Sequence, residues 1–160
     1  MTAEVDETER WLAPSPRLLA LRRVEIGIAA LLLAVAAGIG GATAGGTVAG
    51  LALGGVVVLA GIAERTVSRR YHSWGYLERS RDLLVKRGVL FKRLTVVPYG
   101  RMQLVDVTAG AAERAFGLAT IALHTAAATT DARIPGLLPA EATRLRDRLA
   151  ALGEAQASGI

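Results

Sequence analysis

IGIAALLLAVAAGIGGATAGGTVAGLALGGVVVLAGIA, from Ile26 to Ala63, carries no charged side chain and is broken only by the glycine-rich stretch Gly38–Gly46. At about 1.5 Å per residue, a single helix of that length would be nearly twice the roughly 30 Å hydrocarbon core of a bilayer. The run therefore reads as two crossings joined by a very short turn, one from about Val24 to Gly40 and one from about Thr47 to Ala63. This membrane hairpin (24–63) sets the frame for everything on either side of it.

Working outward, Arg22 and Arg23 precede the first crossing, and Arg65, Arg69 and Arg70 follow the second, whereas the turn Gly40–Gly46 has no charge. Cationic flanks stay in the cytoplasm, so both termini are expected there, with the turn outside. Glu25 stands where a carboxylate faces headgroups and favours a helix N-terminus. Small residues recur at every fourth position, Ala30, Ala34 and Gly38 on one helix and Gly46, Gly50 and Gly54 on the other. Such stripes let helix backbones approach in lipid. They fit a contact within one hairpin, a contact between two protomers, or simple abundance of alanine and glycine. A cleaved signal sequence fits poorly. The region before the apolar run is long and contains Glu4, Asp6, Glu7 and Glu9, and a second apolar segment follows at once.

Composition narrows the classes further. The chain has no cysteine, which excludes disulfides, zinc–thiolate sites, thiol catalysis and cysteine lipidation. Net charge is +5 with arginine far outnumbering lysine. Up to Arg23 the four acids balance Arg10, Arg17, Arg22 and Arg23, so the excess lies after the hairpin. A basic domain tethered to a bilayer is drawn to anionic headgroups. Nothing in the chain sharpens the basic character toward nucleic acid.

After Arg69 the pattern changes to short strand-like pieces. Trp74–Leu77 leads to a polar turn, Arg79-Ser80-Arg81-Asp82. Leu83–Val85 runs into Lys86-Arg87-Gly88, Val89–Phe91 into Lys92-Arg93, and Leu94–Val97 ends at Pro98. Met102–Thr108 alternates as a one-sided strand does, Gly110–Gly117 reads as a loop with a helical turn near Glu113-Arg114, and Leu118–Ala126 as another strand. Gly88, Gly110 and Gly117 read as turn glycines. A last short strand begins at Arg133-Ile134. Pro139-Ala140-Glu141 then opens a helix with Ala142, Leu145, Leu149 and Leu152 on one face and Gly153 as its stop. Strands first and a helix last imply an antiparallel sheet or barrel with one helix against it.

The stretch Pro98-Tyr99-Gly100-Arg101-Met102-Gln103-Leu104-Val105-Asp106-Val107 resembles the signature of the membrane-anchored bacterial pleckstrin-homology (PH) domain proteins of the YdbS-like type. The resemblance continues through Gly110, Arg114, Gly117-Leu118-Ala119, His124-Thr125-Ala126 and Ile134-Pro135-Gly136-Leu137, and covers roughly Tyr71 to Leu152. It implies a mainly-β PH-like barrel or orthogonal sandwich, two antiparallel sheets of usually seven strands in all, closed by a C-terminal helix. The expected organisation is a cytoplasmic segment 1–23, the hairpin 24–63, a PH-like domain 64–152 and a tail 153–160. Pro98, Arg101, Gln103 and Arg114 are the residues that carry the family motif.

Catalysis finds no foothold. His72 sits among Arg69, Arg70 and Tyr71 and reads as an interfacial residue, and His124 as a surface or hydrogen-bonded position on a strand. No metal-ligand spacing, phosphate loop or nucleophile elbow is present, so neither cofactor nor metal is expected. Arg101 fits either an anionic ligand or loop carbonyls and Asp106, Gln103 either a peptide backbone or its own strand, and Arg114 either a ligand or a loop-locking salt bridge. Arg79, Arg81, Lys86, Arg87, Lys92 and Arg93 are candidates for headgroup contact. As a solvated face near anionic lipid, each would add about 1 kcal/mol.

The sequence thus describes a two-pass protein of the bacterial plasma membrane, non-enzymatic, whose PH-like domain docks a protein or peptide or assembles with copies of itself. A headgroup-binding module and a small subunit of a larger membrane complex are the alternatives.

Overall fold

The computed structural model describes residues 11–125 and 131–157. The N-terminal acids with Arg10, the expected strand end at Ala126, and the end of the tail lie outside them. The chain divides into two compact units. One is Leu19–Arg69, and the other draws on chain from both sides of it.

The first unit is formed by two long helices, α1 (Pro16–Ala44) and α2 (Gly46–His72). Both run well past the apolar crossings, at 29 and 27 residues. Ser15 and Pro16 explain the early start of α1. The Ser15 hydroxyl accepts the Arg17 N–H at 3.3 Å as an N-cap, and proline suits the first helical position. Gly45, at φ +103°, makes the turn between the helices. Close backbone approach occurs there, because a Cβ on Gly41 would overlap the Ala49 side chain. Gly38, Gly46, Gly50 and Gly54 face open space, so these stripe glycines do not join the two helices of one hairpin.

At the other end, Arg23 Nε meets Glu64 Oε1 at 2.6 Å, and Arg22 pairs with Glu25 at 2.7 Å. The apolar side chains between, among them Leu31, Leu32, Leu51 and Val57, are exposed. Both helices are long and apolar enough to cross a membrane. Water is a poor solvent for such a surface and lipid a good one.

The second unit holds two three-stranded antiparallel sheets. The first is ordered β1 (Gly75–Glu78), β2 (Asp82–Arg87), β3 (Arg93–Pro98). The second is ordered β4 (Met102–Thr108), β5 (Ala119–Thr125), β6 (Ala132–Leu137). A 3-10 turn, Tyr99–Arg101, links the sheets, the short helix α3 (Ala111–Ala115) links β4 to β5, and α4 (Pro139–Ala157) closes the unit. Leu83, Val85 and Val97 from the first sheet meet Ile121, Leu123 and Ile134 from the second. Ala142, Leu145 and Leu149, spaced along one face of α4, cap that core with no exposed surface.

Four details differ from the reading of the sequence. Val89–Phe91 is the loop of the β2–β3 hairpin rather than a strand, leaving six strands among the described residues. Gly110 stands at φ −67°, in reach of any residue, whereas Gly88 and Gly117 are at +104° and +62°. The helix α4 does not stop at Gly153. It continues because its last turn is tied down, the Gly100 N–H donating to Gln156 Oε1 at 3.1 Å.

The fourth detail concerns the segment before α1. Leu12 and Tyr76 exchange backbone hydrogen bonds, both at 2.9 Å, so Leu12 extends the first sheet beyond β1. The Ser15 N–H donates to the Gly136 carbonyl at 2.7 Å, and the Tyr71 hydroxyl to the Pro14 carbonyl at 2.8 Å. The folded unit is therefore closed by chain that precedes the hairpin as well as chain that follows it.

Candidate functional site

Strand β4 is an edge of its sheet, with β5 on one side. An edge strand presents unpaired N–H and C=O groups that another segment can use. Here the edge runs beside α4, leaving a groove of about 380 Å³ lined by Met102–Val105 on the strand side. Arg146, Leu149, Ala150, Gly153 and Glu154 line the helix side. Leu149 forms part of its fully buried wall, while Leu104 is 53% exposed. The lining is mainly apolar, with Gln103, Arg146 and Glu154 as its polar and charged members.

Of the motif residues, Gln103 is the one brought into this groove. It sits at an irregularity in the β4–β5 register between Met102 and Leu104. Such a bulge re-aims side chains, a common device beside binding sites. Arg101 ends the 3-10 turn and is exposed, and Pro98 is exposed at the end of β3. Arg114 is exposed on α3, where its neighbour Glu113 performs the loop locking. Glu113 accepts the Gly110 N–H at 2.9 Å and the Thr120 hydroxyl at 2.8 Å. Nor does Asp106 face Arg101 in an ion pair. It lies 4.0 Å from His124 Nε2, while His124 Nδ1 is 3.3 Å from Asp131, which makes His124 a hydrogen-bonded surface residue.

The residue behind the motif arginine matters more to the architecture. Tyr99 is fully buried, its hydroxyl donates to the Arg79 carbonyl at 2.9 Å, and its N–H donates to the Arg81 carbonyl at 3.2 Å. Burial, with the Glu78 and Asp82 carboxylates nearby, pushes its hydroxyl up to about 12. Next to it the nearly buried Glu78 carboxylate is held by Arg144 at 3.5 Å and Arg148 at 3.3 Å, both from α4. Sequence reasoning passed over Glu78. Its position on a strand otherwise lined by apolar residues, opposite an arginine-rich helix, was the available signal.

The six candidate headgroup cations separate into two groups. Arg79 and Arg81 lie at the β1–β2 turn, beside the Glu78↔Leu83 pair. Lys86 and Arg87 end β2 and Lys92 and Arg93 precede or begin β3, with Arg87 directly across from Arg93. Four residues of β2, Asp82–Val85, separate the groups, so that Arg81 and Lys86 stand roughly 16 Å apart at about 3.3 Å per residue. Lys86 Nζ lies 4.2 Å from the centre of the Trp11 ring, a cation–π contact. Among the described residues no cluster of acids and histidines has the arrangement of a metal site.

Comparison with known proteins converges on the same architecture. A family model described as "Bacterial PH domain" matches residues 18–153. The chain is also 34% identical over 83 residues to the UPF0699 transmembrane protein YdbS of Bacillus subtilis (strain 168), covering 52% of this chain and 51% of that one. The chain thus spans about half the length of this curated relative. No solved structure matches. Two bilayer-length apolar helices and a transmembrane relative make this a membrane protein. The family match over most of the chain, with two antiparallel sheets closed by a C-terminal helix, means that the chain belongs to the bacterial PH domain family.

Proposed function

We propose that this protein is a non-enzymatic docking module of the bacterial plasma membrane, which receives an extended protein segment along the β4–α4 groove. The observation that carries the reading is the conjunction of an edge strand, a bulge at Gln103 and an apolar groove beside α4. Strand addition at such an edge takes its affinity from main-chain hydrogen bonds and its specificity from side-chain pockets. The arginines flanking the apolar helices favour a cytoplasmic location for the PH-like unit.

Site-specific photocrosslinking in native membranes tests this. A photoreactive side chain at position 104 of the full chain should give an adduct with one defined segment of a partner. Ala150→Trp, which fills the groove from the exposed face of α4, should reduce that adduct at least tenfold. An adduct that survives Ala150→Trp, or labelling from position 104 no stronger than from exposed Thr143, would contradict the groove as the docking site.

A further inference from the structure

The β2–β3 hairpin ends in three apolar residues that the fold does not use. Val89, Leu90 and Phe91 are 42%, 90% and 89% exposed. Two large side chains displayed this fully at a loop tip need an apolar solvent or a partner. The loop is also held in shape. Gly88 takes φ +104°, and a Cβ there would overlap the Phe91 carbonyl, so the backbone folds tightly enough to push Leu90 and Phe91 outward. The Gly88 N–H donates to Ser73 Oγ at 3.3 Å.

The surroundings identify the solvent. Lys86 and Arg87 at the end of β2, with Lys92 just before β3 and Arg93 at its start, form a cationic collar behind the apolar tip. Apolar residues ahead of basic ones match the layering of a bilayer surface, acyl chains beneath anionic headgroups. Trp11, under Lys86, adds an aromatic of the kind that favours that interface. Chain connectivity supports the same occupant. Strand β1 begins at Gly75, three residues after α2 ends at His72, and Gly75 pairs with Lys86. The hairpin tip therefore leaves the sheet at the end where the chain enters β1.

We infer that the Val89–Phe91 tip inserts into the headgroup–acyl boundary of the membrane, with Lys86, Arg87, Lys92 and Arg93 resting on anionic headgroups. The hairpin then acts as a third point of membrane contact besides the two helices. This site is separate from the β4–α4 groove and stands or falls independently of it.

Because the chain has no cysteine, the test can use a single label in the full protein. Leu90→Cys, carrying an environment-sensitive fluorophore, is reconstituted into vesicles containing about one-third anionic phospholipid. Emission should rise several-fold over detergent-free neutral vesicles, and lipids brominated near the top of the acyl chain should quench it more than twice as strongly as a label at Thr143→Cys. Replacing all four collar cations by glutamine should return the emission toward its value in water. A label that stays in water in anionic vesicles overturns the inference. So does a blue-shifted label that brominated lipid leaves unquenched, because that result means a protein, including a second copy of this chain, covers the tip.

Discussion

Tyr99→Ala should destabilise the PH-like unit by about 3–5 kcal/mol, the usual cost of emptying a large aromatic site in a packed core. Tyr99 has no exposed surface and belongs to the cluster that contains Leu83, Ile121, Leu145 and Leu149. It also sits in the turn that joins the two sheets, so its ring and hydroxyl hold elements that no strand ladder connects. Small domains have about 5–15 kcal/mol in all, and the variant should therefore expose β3 and α4 to limited proteolysis while the apolar helices remain in the membrane. Tyr99→Phe keeps the ring and removes one hydrogen bond to the Arg79 carbonyl, with an expected cost of about 1–2 kcal/mol.

The same residue predicts an alkaline limb. Its folded-state hydroxyl is pushed up to about 12 by burial first and then by Glu78 and Asp82. An unfolded tyrosine titrates near 10. The contribution is complete below about pH 10 and is lost as pH rises through about 12, because the unfolded chain releases its proton first. Tyr99→Phe should make unfolding less steep between pH 10 and 12 in circular dichroism. Tyr76, raised chiefly by its own burial, leaves a residual slope.

Gly136→Ala should detach the segment that precedes α1 from the folded unit. Gly136 stands at φ +73°, and a Cβ there would lie 2.7 Å from Leu18 Cδ2 and 2.8 Å from Leu18 Cβ. Backbone strain and overpacking together give an expected cost of about 2–5 kcal/mol. Release of the segment spares the core, at the expense of the Ser15 N–H to Gly136 bond, the Leu12–Tyr76 pair, the Tyr71–Pro14 bond and the Lys86–Trp11 contact. Hydrogen exchange on the full chain in nanodiscs should show the amides of Leu12 and Tyr76 losing protection. Ile121, at the centre of β5, should keep its own. Unchanged protection at Leu12 would contradict this account of how the unit is closed.

Much of the fold was legible because its signals are local. An uncharged run longer than one bilayer, the alternation of Met102–Thr108 and the helical spacing of Ala142, Leu145 and Leu149 each require only neighbours in sequence. The departures arise where distant chain intervenes. Leu12 has no strand pattern of its own, and its place beside Tyr76 exists only because β1 leaves an edge open. Val89-Leu90-Phe91 has the composition of a strand, and the positive φ of Gly88 turns it into a loop. Ser15-Pro16 was a readable helix start, overshadowed by the apolar run that begins further on. Of the candidate site, Gln103 was visible in the motif. The groove that gives it meaning depends on α4 packing beside an edge strand, and spacing along the chain does not reveal that.

A cytoplasmic docking module requires a particular topology, and cysteine accessibility in intact cells measures it directly. Thr43→Cys, in the uncharged turn, should react with a membrane-impermeant thiol reagent added outside. Thr143→Cys, exposed on α4, should react only after permeabilisation. Labelling of Thr143→Cys in intact cells would place the PH-like unit outside, and with it remove every cytoplasmic partner from the account.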